Sequence, residues 1–171
     1  MPHPLIVQLR FTRSEFQRGL DGLSDADARR RLLPMNCISW NIGHLAWHEQ
    51  GIWLADFQGQ TPLPHLNDLY GYDQPASTPP LAESLEAWRI VTKLIDPFLD
   101  NLTTQQLQEM SLPDETDPRI LYTAGSLLQR LIYHYWYHNG ENMAIRQMLG
   151  HTNLAEFVGD IDTEAPYQPH Y

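Results

Sequence analysis

Two histidines four residues apart, His134 and His138, interrupt an otherwise apolar helical stripe in the last third of the chain. At about 100° per residue, one helix face carries Leu127, Leu131, His134, His138, Glu141, Ile145 and Leu149. Side chains four apart on a helix lie about 5–6 Å from each other, a separation at which two imidazoles can chelate a divalent metal ion. The spacing favours a metal site; the alternative is a pair of core histidines that hydrogen-bond to carbonyls or tyrosine hydroxyls.

A metal site of this kind needs at least a third ligand, and a second histidine pair, His44 and His48, lies within residues 38–58. The apolar residues of this segment recur at helical spacing, and Ser39 is the expected N-cap. One face holds Trp40, His44, Trp47, Gly51 and Ala55, whereas His48 lies about 40° further round. We therefore expect His44 to be a ligand and His48 to be a surface or rim residue.

Two further details of these segments concern helix packing and the class of metalloprotein. Gly43 and Gly51 each disfavour a helix by about 1 kcal/mol relative to alanine, so their presence indicates close approach of another helix or of a ligand. His134 is followed by Tyr135, where the helix of a zinc peptidase carries a glutamate. A peptidase of that class is therefore not expected.

The length, charge and composition of the chain argue against several classes of protein. A chain of 171 residues suggests one domain, residues 1–171, with an ample core. The formal charge of −10 argues against a nucleic-acid surface, which needs Lys and Arg to neutralise phosphates. No apolar run reaches the length of about 18 residues that a membrane span needs, and the apolar stretch at the N-terminus is too short for a signal peptide. The single cysteine, Cys37, excludes an internal disulfide and fits the cytoplasm.

The apolar periodicity predicts an all-α protein. Long helices are expected over residues 5–20, 38–58, 81–99 and 122–149, with short ones from Ser24 to Leu32 and near 104–110, and with Thr123 capping the last long helix. Residues 59–80 and 111–121 and the tail 151–171 have no helical pattern, and no segment alternates as a strand does. The simplest fold for four long amphipathic helices is a four-helix bundle, here with a long crossover between helices 2 and 3. Helices 2 and 4, which carry the histidines, are then neighbours.

Apolar side chains cover more of the 38–58 helix than one buried face requires. A second subunit could cover the surplus, and the residues concerned are Trp47, Trp53, Leu54 and Phe57. A homodimer is predicted on this ground. Tyr133, Trp136 and Tyr137 are expected to pack between helices, and Cys37 is expected to be a small packing residue rather than a nucleophile.

The two histidine segments resemble the DinB-like superfamily of small helical metal-binding proteins. The resemblance rests on WNIGHLAWHE, residues 40–49, and on HYWYHNGENMAIRQMLGH, residues 134–151. It implies a four-helix bundle, often dimeric, with one histidine from helix 2 and two from helix 4 as metal ligands. These correspond to His44, His134 and His138. His48 is an addition to the motif, which leaves a second ligand from the same helix open.

The resemblance also implies a range of functions. Characterised relatives include transferases and isomerases that use low-molecular-weight thiols such as mycothiol or bacillithiol, and a similar domain occurs in sulfoxide synthases of ergothioneine biosynthesis. The family name refers to DNA damage in a founding member and implies no DNA binding. These relatives suggest a small-molecule substrate for the present chain.

Three neutral imidazoles leave a coordination position open, as in catalytic metal sites. Zinc suits such a set best, and nickel and iron(II) also bind imidazole. Glu141 is the candidate catalytic residue, as a proton acceptor or as the orienting partner of a ligand; alternatively it pairs with Arg130 or Arg146. The favoured function is a metal-dependent transferase of a low-molecular-weight thiol. The alternatives are a metal-dependent hydrolase and a non-catalytic metal-binding stress-response bundle.

Overall fold

The computed structural model describes residues 2–168, and most of them are helical. The helices are α1 (Pro4–Arg18), α2 (Asp25–Ala28), α3 (Ile38–Glu49), α4 (Leu66–Tyr70), α5 (Leu81–Leu99), α6 (Thr104–Glu109), α7 (Ala124–Met148) and α8 (Ile161–Glu164). A π-helical segment, Gln50–Asp56, continues α3. The predicted all-α class is confirmed, and the four expected long helices correspond to α1, α3 with its π-helical continuation, α5 and α7. Among the described residues, no helix combines the length and apolarity needed to cross a bilayer.

Two short strands depart from the predicted loop over residues 111–121. Strand β1 (Ser111–Pro113) pairs antiparallel with β2 (Leu121–Thr123), with Ser111 opposite Thr123. Three residues per strand are too few to show the alternation of apolar and polar residues by which strands are recognised in a sequence. The crossover between residues 59 and 80 likewise contains α4, whose five residues have no long periodic pattern.

Helix starts were predicted well where a side chain caps them. Ser24 caps α2 by accepting from the Asp27 amide, and Thr123 caps α7 by accepting from the Ser126 amide. Ser39 as N-cap is wrong, because the N-cap of α3 is Cys37, two residues earlier, and it makes no side-chain cap bond. The Cys37 side chain is fully buried, as expected for a packing residue.

Helix α2 is shorter than predicted and ends at Ala28 rather than Leu32. Ala28 is its only buried residue, and Arg29 and Arg30 beyond it are exposed. Because the two residues that follow Ala28 are exposed arginines, no apolar face continues the helix, and most helical stability in proteins comes from packing such a face.

The core lies between the four long helices: α1 packs against α7, and α3 packs against both α5 and α7. Its fully buried apolar residues include Ile6, Leu9, Phe16, Ile38, Ile42, Leu45, Val91, Ile95, Leu128 and Leu131. Burial of each such side chain contributes about 1.5–3 kcal/mol. The α3–α7 contact places the two histidine helices side by side, as the sequence predicted.

The surplus apolar residues of the 38–58 segment are largely covered within the chain. Trp53 and Leu54 are fully buried, and Phe57 stacks on Trp53 and on Phe98 of α5, with ring centroids 5.3 and 6.2 Å apart. Trp47 is half-buried, and its indole N–H donates to Asn67 of the crossover over 3.2 Å. Trp53, Leu54 and Phe57 are therefore covered without a second subunit, and the homodimer itself stays a prediction.

A buried polar network joins the four long helices. Glu49 of α3 is fully buried and pairs with Arg13 of α1, whose Nε donates to Oε1 over 3.2 Å. The Tyr135 hydroxyl on α7 donates to the same carboxylate oxygen, and Trp88 of α5 donates to the Tyr135 hydroxyl over 2.5 Å. Burial, followed by the neighbouring Glu49 charge, raises the pKa of Tyr135 well above its ordinary value, so the phenol stays protonated and can donate.

Candidate metal centre

The structure brings together three of the four candidate histidines. His44 of α3 and His134 and His138 of α7 each offer one ring nitrogen, and these nitrogens all lie within 4.8 Å of one another. The Nε2 atoms of His134 and His138 are 3.0 Å apart. Helical spacing accounts for the α7 pair, and the packing of α3 on α7 adds the third ring.

Two of these rings are held by hydrogen bonds at the nitrogen that faces away from the cluster. His44 Nδ1 lies 2.9 Å from the backbone oxygen of Tyr70, and His138 Nδ1 lies 2.9 Å from Glu141 Oε2. A carbonyl or carboxylate oxygen only accepts, so each Nδ1 carries the hydrogen. In the neutral ring the lone pair is then on Nε2, which is the form that binds a metal ion.

The protonation state of the cluster also suits metal binding. Burial, followed by repulsion from neighbouring histidines, lowers the pKa of His134 to about 2 and that of His48 to about 4. Burial also lowers the pKa of His44. These rings are therefore neutral at pH 7.

The spacing of the two α7 donors is close to that of a coordination shell. Two nitrogens bound to zinc at about 2.0–2.1 Å in tetrahedral geometry lie about 3.3 Å apart, close to the 3.0 Å between His134 and His138. Neutral imidazoles at this spacing fit a divalent transition-metal ion. The family resemblance and the cluster together fit a metal-binding protein.

Glu141 has a defined partner in this arrangement. Its Oε2 accepts from His138 Nδ1 and also from the amide of Asn41 on α3, each over 2.9 Å. The Asn41 amide nitrogen also donates to Asn142 Oδ1 over 2.9 Å. A carboxylate on the outer nitrogen of a histidine fixes the orientation of the ring and increases its basicity.

The alternative partners considered for Glu141 are engaged elsewhere. The guanidinium of Arg130 lies over the Tyr122 ring, 4.5 Å from its centroid. Arg146 donates to the backbone oxygen of Gly19 over 2.5 Å. The interpretation of Glu141 as a surface carboxylate paired with an arginine is therefore wrong.

His48 is not the surface residue that its position on the helix suggested. It is half-buried, its Nδ1 is inaccessible to solvent and without a hydrogen-bond partner, and its ring meets the His134 ring edge to face with centroids 4.6 Å apart. His134 Nδ1 is also buried without a partner. His48 lies outside the group of three whose nitrogens converge, and it lines a separate cavity of about 320 Å³ beside the β-hairpin.

Two contributors escaped prediction from the sequence. Tyr70 contacts His44 through its backbone oxygen. Every residue has such an oxygen, so the residue type gives no indication of this role. The position of Tyr70 is nevertheless linked to a glycine, because a Cβ at Gly43 would lie 2.2 Å from the Tyr70 ring. The close approach expected at Gly43 is thus made by α4, whereas Gly51 has nothing within 4 Å. Asn41 could have been recognised from the sequence, because a polar side chain one turn before His44 on a buried helix face needs a hydrogen-bond partner.

An open cavity of about 370 Å³ lies against the three histidines, and we call it the histidine cavity. Its lining comprises Asn36, Trp40, His44, Gly71, Tyr72, Asp73, Gln74, His134, Tyr137, His138 and Glu141. Trp40 stacks on His44 with ring centroids 4.6 Å apart. The three histidine side chains thus lie on the wall of a cavity that is open to solvent.

The expected packing of the α7 aromatics between helices is only partly correct. Trp136 is half-buried and meets Phe157 edge to face at 6.0 Å. Tyr133 and Tyr137 are 67% and 68% exposed, because they lie on the solvent side of α7. Tyr137 instead borders the histidine cavity.

The comparison with known families agrees with the geometry. The model of the DinB superfamily matches residues 8–142, a range that includes all three clustered histidines and Glu141. No curated protein and no solved structure gives a match. The family match spans most of the chain, and on this evidence the chain belongs to the DinB superfamily.

Proposed function

We propose that this protein is a metal-dependent enzyme that joins a low-molecular-weight thiol to a small electrophilic molecule, with His44, His134 and His138 as the metal ligands. The observation that carries the proposal is the convergence of three ring nitrogens within 4.8 Å at the wall of an open cavity. Three protein ligands and access from solvent are the arrangement of a catalytic metal site. The thiol itself is suggested by the family resemblance.

The donor set is all imidazole, which suits zinc and also nickel or iron(II). When bound, such an ion supplies Lewis acidity, which lowers the pKa of a thiol or water at the open position. The Tyr70 carbonyl fixes the ring of His44, and Glu141 fixes the ring of His138. Preorganised ligands of this kind need no rearrangement during the reaction.

In this proposal Glu141 is also the proton acceptor. Its Oε2 is engaged by Asn41 and His138, whereas Oε1 has no hydrogen-bond partner among the described residues. Glu141 lines the cavity. The thiol gives its proton to Oε1 and the sulfur forms a bond to the electrophilic carbon. In a substitution, as with a chloronitrobenzene, the bond from that carbon to the leaving group breaks, the leaving group departs as an anion, and the proton passes from Glu141 to solvent.

The two alternative functions make different demands on the same residues. A non-catalytic site would be closed by a fourth protein ligand, and His48 lies outside the converging group, which favours the enzyme. A hydrolase would use the same open position for water. Turnover of a test ester without thiol distinguishes the hydrolase from the transferase.

The test combines metal analysis with a conjugation assay. Protein purified without a nickel column is expected to hold up to one transition-metal ion per chain and to conjugate a model electrophile, such as a chloronitrobenzene, with at least one of several cellular thiols. His44→Ala, His134→Ala and His138→Ala are each expected to abolish conjugation. Cys37→Ser and His65→Ala, an exposed histidine outside the cluster, are expected to retain it. Full activity of the metal-free protein would overturn the proposal.

We also propose a homodimer in the cytoplasm. With Trp53 and Leu54 buried inside the chain, the support for a dimer is the family resemblance, and the support for the cytoplasm is the single cysteine. Light scattering at micromolar concentration is expected to give about twice the chain mass of 19.8 kDa. A monomer in that measurement would reject the dimer without affecting the proposed chemistry.

A further inference from the structure

The charged side chains that line the histidine cavity are both acidic. Its lining contains two carboxylates, Glu141 and Asp73, and no lysine or arginine among the residues that the structure describes. Glu141 is engaged by His138 and Asn41. Asp73, in contrast, is exposed and forms no ion pair or hydrogen bond through its side chain within residues 2–168. A free carboxylate therefore lies on the lining, and no lysine or arginine side chain of that lining neutralises it.

Three aromatic side chains also line the histidine cavity. Tyr72 and Tyr137 are 81% and 68% exposed, although both border the cavity, and Trp40 lines it from within the core. The face of an aromatic ring attracts a cation that comes within about 6 Å. The two exposed tyrosine rings and the unpaired carboxylate are thus groups that a positively charged ligand can contact, and the carboxylate repels an anion.

The backbone conformation at Asp73 suits an aspartate or an asparagine. Asp73 has a φ of 63°, a left-handed conformation that Asp and Asn adopt more readily than other non-glycine residues. Asn at this position preserves the backbone and removes only the charge. The net charge of −10 over the whole chain adds to the attraction of cations at longer range.

We propose that the histidine cavity selects small thiols that carry a positive charge at the end remote from sulfur, with that charge placed near Asp73 and the exposed rings of Tyr72 and Tyr137. This inference rests on the proposed function, since it takes the thiol sulfur to lie at the histidines. It adds a substrate class: amine-bearing thiols are favoured, neutral ones are intermediate, and thiols ending in a carboxylate are disfavoured.

The experiment measures binding rather than turnover. Three thiols of similar length, ending in an ammonium, a hydroxyl or a carboxylate (3-aminopropanethiol, 3-mercaptopropanol and 3-mercaptopropionate), are titrated into the cobalt-substituted protein. The thiolate-to-cobalt absorption band reports occupancy. We expect the aminothiol to bind more tightly than the carboxylate thiol, and we expect Asp73→Asn to reduce that ratio about threefold to tenfold, since an exposed charge pair has a modest effect and the neighbouring rings add to it.

The change in ratio between the two proteins is the decisive quantity, because the three thiols differ in intrinsic acidity and that difference cancels. Asp68→Asn is the matched control: it removes the same charge from an exposed position on α4, outside the cavity lining, and is expected to leave the ratio unchanged. Binding without preference, or a preference that survives Asp73→Asn, overturns this inference and leaves the proposed function intact. Failure of all three thiols to bind overturns both.

Discussion

The amide of Asn41 on α3 donates a 2.9 Å hydrogen bond to the Glu141 carboxylate on α7, and the same carboxylate oxygen accepts from His138 Nδ1. One polar chain therefore runs from the helix that supplies His44 to a histidine of the other helix. The orientation of the His138 ring depends on the packing of α3 against α7. The orientation of a proposed metal ligand and the packing of two core helices are thus linked through these side chains.

The first prediction concerns Glu141. Glu141→Gln keeps the shape of the side chain but removes the charge that holds His138 Nδ1, and loss of such an outer partner weakens metal binding about 10- to 100-fold. Competition with a chromogenic chelator measures this change. Glu86→Gln, at an exposed position on α5, is the control and is expected to bind metal as the unchanged protein does. Equal affinities of Glu141→Gln and the unchanged protein would show that Glu141 does not support His138.

The second prediction concerns His48, the ring beside His134. The outer nitrogens of His44 and His138 have acceptors, whereas His134 Nδ1 has none. The His48 ring meets the His134 ring edge to face, with centroids 4.6 Å apart. We predict that His48 orients His134 and is not itself a ligand. His48→Ala should then lower metal affinity about 10- to 100-fold while the stoichiometry and the cobalt absorption spectrum stay the same.

Two other outcomes are informative for His48. A cobalt spectrum that changes in intensity on His48→Ala would indicate a change in coordination number and would make His48 a ligand. An affinity equal to that of His65→Ala, an exposed control, would show that His48 has no part in the site. The ligand assignment of His134 is tested separately, because His134→Ala is expected to lose the ion altogether.

The sequence predicted the parts of this molecule that depend on local periodicity. The long helices and the pairing of His134 with His138 follow from 3.6-residue spacing, and the caps at Ser24 and Thr123 follow from side-chain hydrogen bonding to free amides. His44 was chosen because it shares a helix face with apolar residues. The three histidines could be predicted because each lies on a helix face whose other residues are mostly apolar.

What the sequence did not predict depends on contacts between distant segments. His48 lies about 40° from the face of His44 and was assigned to the rim, but the packing of α7 brings His134 against it. The Tyr70 carbonyl is a backbone atom from a short helix in the crossover. Trp53 and Leu54 were assigned to an interface because periodicity alone does not distinguish coverage by α5 from coverage by another subunit.

The third prediction concerns pH and the loop between β1 and β2. The Asp114 carboxylate accepts from the Thr116 hydroxyl over 2.6 Å, and from the Asp117 amide and the Tyr122 hydroxyl over 2.9 Å each. These hydrogen bonds, that of Thr116 first, hold the pKa of Asp114 well below its ordinary value. A carboxylate with a depressed folded-state pKa stabilises the fold above its unfolded pKa, about 3.9, and that contribution is lost as pH falls through the folded value.

The measurement for Asp114 is an NMR titration of its carboxyl carbon, which is expected to move only at pH values well below 4. Thr116→Val removes the hydroxyl that contributes most and should shift the titration toward the ordinary value. Asp114→Ala should be less stable than the unchanged protein at pH 7, with the difference shrinking as the pH is lowered below 4. A midpoint near 3.9 in the unchanged protein would contradict the hydrogen bonding described.

The last prediction concerns the buried network at Glu49. Tyr135→Phe removes a hydroxyl that donates to the Glu49 carboxylate and accepts from Trp88 Nε1. All three side chains are almost completely buried, so water cannot replace the lost partner, and an unsatisfied buried group costs about 1–3 kcal/mol. We expect the free energy of unfolding in urea to fall by about that amount with an unchanged m-value.

Tyr133→Phe is the matched control on the same helix, because Tyr133 is 67% exposed and its hydroxyl is free to bond to water. If both variants unfold at the same urea concentration as the unchanged protein, the network does not stabilise the packing of α1, α3, α5 and α7.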